Sequence, residues 1–217
     1  MQAPDTVEVL TAEDPVGSVI WLHGLGADGH DFEPIVPELH LSVPLRFVFP
    51  HAPVRPVTIN GGMSMRAWYD IVSFDAEGRA DADGVRASTA LLEALIEREV
   101  ARGIPAERIV IAGFSQGGAI AINAAMHARR KLAGLMALST YIAVPGAAVD
   151  GVGHRDLPVF MAHGTFDPVL PLAWGRSSAE HLRASGYEVE WHEYPMAHAV
   201  CMEEIRDIRA WLLSVYS

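Results

Sequence analysis

A single cysteine, Cys201, stands in 217 residues. An intramolecular disulfide is therefore impossible, and a reducing, cytoplasmic setting is the expected home. Basic side chains are also scarce. The 16 Lys and Arg against 27 Asp and Glu leave a formal net charge of −11, which argues against a nucleic-acid partner. No apolar run approaches the ~18 residues of a membrane-spanning helix, so no integral membrane span is expected. The opening MQAPDTVEVLTAEDP has neither the basic start nor the apolar core of a signal peptide. Internal repeats and low-complexity linkers are missing too. With half its residues hydrophobic, the chain reads as one globular domain over 1–217.

Short β-branched, apolar runs alternate with longer helical patterns. GSVIWLH, LRFVFP, ERIVIAG, LAGLMALS, LPVFMAHG and YEVEWHEYP read as strands, with TVEVL as an extra one. Most are continuous apolar runs, as in parallel strands buried on both faces, whereas the last alternates as near an edge. Leu91, Leu92, Ala94, Leu95 and Val100 predict a helix over 84–102, stopped by RGIP. Further helices are expected near Asp31, just after Ser115, near Leu172 and from Met202 onward. The alternation predicts an α/β fold around a mainly parallel sheet. The stretch from His51 to Gly84 is the longest irregular one, and a loop of that length is expected to act as a lid.

Gly113-Phe114-Ser115-Gln116-Gly117 lies between a predicted strand and a predicted helix. This G-x-S-x-G spacing is that of a nucleophile elbow, a strained turn that presents the serine hydroxyl outward. Its bland reading is an ordinary strand-to-helix turn. A serine needs a base, and the base needs an orienting acid, in the chain order Ser, acid, His. Asp167, in the loop after LPVFMAHG, fits the acid. Glu180 is another downstream acid; Asp150 and Asp156 precede that strand, while Glu188 and Glu190 fall within the next one. His198, in the loop before the last helix, fits the base. His192 alternates within the final strand. HEYPMAH resembles a zinc-binding H-E-x-x-H only in part: its histidines are six apart, and Pro195 breaks any shared helical face, so no metal is expected. His23 and His163 precede glycine at strand ends, where they can shape a site. His30, His40, His51, His127, His154 and His181 follow no ligand spacing. Cys201 lacks an elbow and a following base, which favours packing over catalysis.

Gly24, Gly26 and Gly29 in VIWLHGLGADGHDF spell G-x-G-x-x-G, a dinucleotide-binding pattern. That pattern calls for an acid some 20 residues on, to hold the ribose. The next apolar strand, PLRFVFPHAP, ends without one, so no cofactor is expected. A serine hydrolase instead needs a second oxyanion donor from another strand-following loop, and HGLG offers the Leu25 amide beside that of Gln116.

HGLGADGHDFEPIVPEL, MRAWYDI, RGIPAERIVIAGFSQGGA, HGTFDPVLP and MAHAVCMEE together resemble the phospholipase/carboxylesterase family, in the right order over nearly the whole chain. The resemblance implies an α/β-hydrolase fold: one compact domain, a mainly parallel sheet flanked by helices, and no large cap. It implies a Ser115-Asp167-His198 triad with oxyanion amides from Leu25 and Gln116, and sets Trp68 near an acyl pocket. Met65 and Ile71, with Leu25 and Met63, are further apolar candidates for substrate contact, and core or lid packing is the competing role for the methionines. The spelling is nearest the bacterial carboxylesterase branch. The expected activity is hydrolysis of short- to medium-chain carboxylic esters through an acyl-enzyme. The alternative is an acyl-protein thioesterase or lysophospholipase acting on longer chains of lipid or acylated protein. A non-catalytic ligand receptor on the same fold and a dinucleotide-dependent oxidoreductase are the rivals from other classes. A homodimer is compatible with the sequence.

Overall fold

Runs such as GSVIWL and IVIAGF have no polar face, so only a sheet position covered on both sides satisfies them. The computed structural model describes residues 3–72, 81–144 and 153–217, and there these runs become central strands. The elements in chain order are β1 (Thr6–Leu10), β2 (Gly17–Leu22), α1 (Ile35–Glu38), β3 (Leu45–Pro50), β4 (Val54–Val57), β5 (Met63–Arg66) and α2 (Ala82–Ala101). They continue with β6 (Ile109–Phe114), α3 (Gln116–His127), β7 (Gly134–Leu138), β8 (Val159–Gly164), α4 (Leu172–Ala184), β9 (Val189–Tyr194) and α5 (Met202–Val215).

The main sheet has the order β1-β3-β2-β6-β7-β8-β9. Only β1 runs antiparallel, against β3. The alternating β9 is an edge strand, as its pattern predicted. Successive residues face opposite layers. Ile20, Leu22, Ile109 and Ile111 pack beneath α2 and α3, while Val19, Trp21, Val110 and Ala112 pack with Ile208, Trp211 and Leu212 of α5. The two layers are closed by buried polar ties. The Tyr216 hydroxyl donates to the Ser18 carbonyl at 2.8 Å, across 198 positions of sequence. Ser18 Oγ donates to Glu99, whose buried carboxylate is also paired with Arg46 at 2.8 Å.

The order of strands reverses at one place. From β2 the chain moves outward to β3, then returns to lay β6 on the other side of β2. Loops leaving the carboxyl ends of β2 and β6 part there and open a crevice, the usual ligand position in such sheets. His23-Gly24-Leu25 leaves β2 at this point and Ser115 leaves β6.

Two expectations differ from the structure. The helix expected near Asp31 is only the four-residue α1. The supposedly irregular 51–84 stretch contains a two-stranded hairpin, β4 with β5, in which Val54 pairs with Arg66 and Val57 with Met63. Its strands are short and β4 carries Pro56, so the sequence spells a loop where an isolated ribbon forms. Residues 73–80 of that stretch, and Asp150, lie outside the described residues.

Candidate active site

Ser115 closes β6 with φ 52° and ψ −119°, a conformation costly for a residue with a side chain. Close packing of the backbone forces the turn. A Cβ on Gly117 would stand 2.5 Å from the Leu22 carbonyl oxygen and 2.6 Å from that of His23. One on Gly113 would collide with the Gly117 backbone. The two glycines of G-x-S-x-G are thus needed because α3 begins directly against β2 and β6.

Asp167 follows β8, with its side chain fully buried. Its Oδ1 accepts from the amides of Val169 at 2.8 Å and Leu170 at 2.9 Å. Its Oδ2 lies 2.6 Å from His198 Nδ1. A carboxylate at that distance assigns the proton to Nδ1 and leaves Nε2 with a free lone pair. The loops bearing Asp167 and His198 are tied together: Thr165 donates its amide to Tyr194 O at 2.8 Å and Phe166 to Met196 O at 3.1 Å. Phe114, the residue before the serine, lies against the His198 ring with centroids 4.7 Å apart.

Ser115 and His198 line one cavity of about 440 Å³ together with Leu25, Gln116, Ile59, Tyr69, Ile71 and Tyr141. The two tyrosines face each other there, their hydroxyls 3.1 Å apart, and burial raises both phenol pKa values. Asp31 also reaches the cavity, its carboxyl pKa raised by burial and by the neighbouring Asp28.

Of the residues singled out from sequence, Ser115, His198, Leu25, Gln116 and Ile71 meet at this cavity, with Asp167 behind His198. Trp68 and Met65 are not among its lining residues. Trp68 is a buried strut: its indole N–H donates to His23 O at 2.9 Å and its amide to Gln116 Oε1 at 2.7 Å. The Gln116 amide nitrogen donates in turn to Tyr69 O at 2.8 Å, so one side chain staples the 68–69 backbone to the start of α3. Met65 sits on the hairpin, its sulfur 3.3 Å from Asn60 Nδ2. His192 belongs elsewhere, packed between Phe160 and Tyr194 and 2.8 Å from Glu190. Cys201 is the N-cap residue of α5, and burial raises its thiol pKa. Among the described residues no group of three His, Cys, Asp or Glu is placed to hold a metal.

Tyr69, Tyr141 and Asp31 line the cavity without having been singled out from sequence. Tyr141 follows β7 closely, and the rule that sites gather at the carboxyl ends of parallel strands could have found it.

A family model described as Phospholipase/Carboxylesterase matches residues 5–215. The chain belongs to this family. It is an α/β-hydrolase and a serine hydrolase acting on carboxylic esters. Acyl-protein thioesterase 1 of Neurospora crassa is 39% identical over 90% of this chain and 85% of its own length. Acyl-protein thioesterase 1 of Cryptococcus neoformans var. neoformans serotype D is 37% identical over 95% of both chains. The crystal structure of SOBER1 from Arabidopsis thaliana superimposes with a TM-score of 0.88 at 28% identity, covering 93% of this chain and 99% of that one. No helix among the described residues is long and apolar enough to cross a membrane.

Proposed function

We propose that this family member, a single catalytic domain over 1–217, releases long acyl groups from thioesters and lipid esters through Ser115. The observation that carries the mechanism is the Asp167–His198 contact of 2.6 Å, with His198 and Ser115 on one cavity. His198 Nε2 takes the Ser115 proton as the hydroxyl oxygen attacks the acyl carbonyl. Asp167 holds the Nδ1–H tautomer and stabilises the imidazolium that forms. The Leu25 and Gln116 amides receive the tetrahedral oxyanion, each donor contributing about 3 kcal/mol. His198 then protonates the departing thiolate or alkoxide. In the second half it activates a water that releases the acid and restores Ser115.

The long-chain reading replaces the short- to medium-chain expectation. Relatives 37% and 39% identical are named acyl-protein thioesterases, and the cavity wall offers Leu25, Ile59, Ile71 and Leu170 to an alkyl chain. The substrates this supports are acylated proteins or lipids.

The test is a series of matched esters and thioesters from acetyl to palmitoyl, assayed with the wild type and Ser115→Ala. kcat/KM is expected to rise with chain length and to fall to background in Ser115→Ala. A maximum at acetyl or butyryl would restore the short-chain reading. Turnover persisting in Ser115→Ala would remove the serine mechanism altogether.

A further inference from the structure

We propose that His23 and Thr140 are positioning residues, each of which aims one oxyanion amide by holding the carbonyl at the other end of the same peptide. The inference rests on the serine mechanism above. A trans peptide is planar, so the C=O of one residue and the N–H of the next point in opposite directions. Among the described residues no peptide bond is cis. Fixing the Gly24 carbonyl therefore fixes the direction of Leu25 N–H, and fixing the Ser115 carbonyl fixes that of Gln116 N–H.

Both carbonyls are held in the same way. Gly24 O lies 2.7 Å from His23 Nδ1 and also accepts from Ala27 N–H at 3.4 Å. Ser115 O accepts from Thr140 Oγ1 at 2.6 Å and from Ala119 N–H at 3.2 Å. Each therefore has one short bond from a buried side chain and one longer bond from the main chain. His23 and Thr140 are each only 1% exposed, so water does not compete for these bonds.

The His23 tautomer follows from its other neighbour. Ala52 N–H donates to His23 Nε2 at 3.1 Å, so that nitrogen carries the lone pair and Nδ1 carries the proton. Burial lowers the His23 pKa to about 4, which keeps the ring neutral at ordinary pH and preserves this arrangement. Thr140 is seated as firmly. A Cβ on Gly118 would stand 2.7 Å from Thr140 Cβ, so the first turn of α3 rests on this threonine. Hydrogen bonds at a peptide oxygen also polarise the peptide and strengthen donation from its N–H.

Thr140→Val keeps the shape and removes the hydroxyl, while Thr140→Ser keeps the hydroxyl. For His23, Asn places an amide N–H near the position of Nδ1–H, and Leu does not. The measurements are kcat and KM on a long-chain thioester, the inhibition constant of a trifluoromethyl ketone and the thermal midpoint. The ketone forms a tetrahedral adduct on Ser115, with its oxyanion at the two amides. Thr140→Val is expected to lose about tenfold or more in kcat with little change in KM, and to weaken the ketone by a similar factor. Thr140→Ser is expected to restore both.

Wild-type kcat in a folded Thr140→Val overturns the inference, as does a kcat loss that the ketone does not share. If Thr140→Val does not fold, equal turnover in His23→Asn and His23→Leu overturns it instead. Neither result touches the serine mechanism, which stands or falls with Ser115→Ala.

Discussion

His163 Nε2 lies 3.4 Å from Asp167 Oδ2, the same oxygen that His198 Nδ1 approaches at 2.6 Å. The same Nε2 is 3.0 Å from Leu170 O, so it faces two acceptors and carries the proton. Burial lowers the His163 pKa and favours the neutral ring. Asp167, the proposed acid, thus has two imidazoles near one oxygen, one fully buried and one on the cavity. His163→Leu is expected to lower kcat by roughly tenfold, as the Asp167–Leu170 loop loses its tie from His163 Nε2 to Leu170 O and positions His198 less well. His163→Gln, with an amide N–H near Nε2, is expected to recover most of that loss. Steady-state kinetics on the two folded variants checks both.

Asp167→Asn would place an amide N–H where His198 Nδ1 now meets a carboxylate, favouring the tautomer that lacks a lone pair on Nε2. kcat is expected to fall by about 10³-fold or more while the fold persists. Thermal unfolding run beside the kinetics separates the two effects.

Acid sensitivity follows from His23. Its folded pKa of about 4 lies below the 6.5 of an exposed imidazole. Between those values the unfolded chain takes up a proton that the folded chain refuses. This contribution to stability is therefore complete above pH 6.5 and is lost as pH falls toward 4, by about 3 kcal/mol in all. Urea unfolding of wild type and His23→Asn at several pH values is expected to show a shallower acid slope in the variant.

Glu204 behaves in the opposite sense. It is fully buried on α5, and burial pushes its carboxyl up to about 8, against the Cys201 amide, which draws it down. The unfolded carboxyl ionises near 4.5, so stability is lost as pH rises from 4.5 toward 8. Glu204→Gln removes the ionisation. It is expected to stabilise the protein by about 3 kcal/mol at pH 7 and to leave it little changed at pH 4. Melting temperatures of the two proteins across that range provide the check.

The parts of the site legible in sequence were those whose chemistry is local. Gly113 and Gly117 mark the elbow because a Cβ on either would stand within 2.6 Å of a neighbouring carbonyl oxygen. Asp167 and His198 stood out because they follow predicted strands in the required order, and the structure brings them within 2.6 Å. The contacts of His23, Thr140 and His163 depend on which loops the sheet brings together, and spacing along the chain carries no trace of that. The family resemblance set Trp68 near an acyl pocket; its indole N–H had to find a buried acceptor, and His23 O provides it. The hairpin of β4 and β5 escaped notice because Pro56 and the Gly61-Gly62 pair look like loop residues.

The tie between Tyr216 and Ser18 has a consequence for the order of assembly. It is a contact of very long range, and such contacts form late because loop closure must precede their reward. Ser115, the proposed nucleophile, directly follows β6, whereas its proposed base comes only after β9, at the far edge of a sheet in which β7 and β8 lie between. A refolding chain therefore has a serine turn before it has a working serine. Recovery of esterase turnover would time the last stage of folding, while far-ultraviolet circular dichroism would follow the earlier gain of helix and sheet.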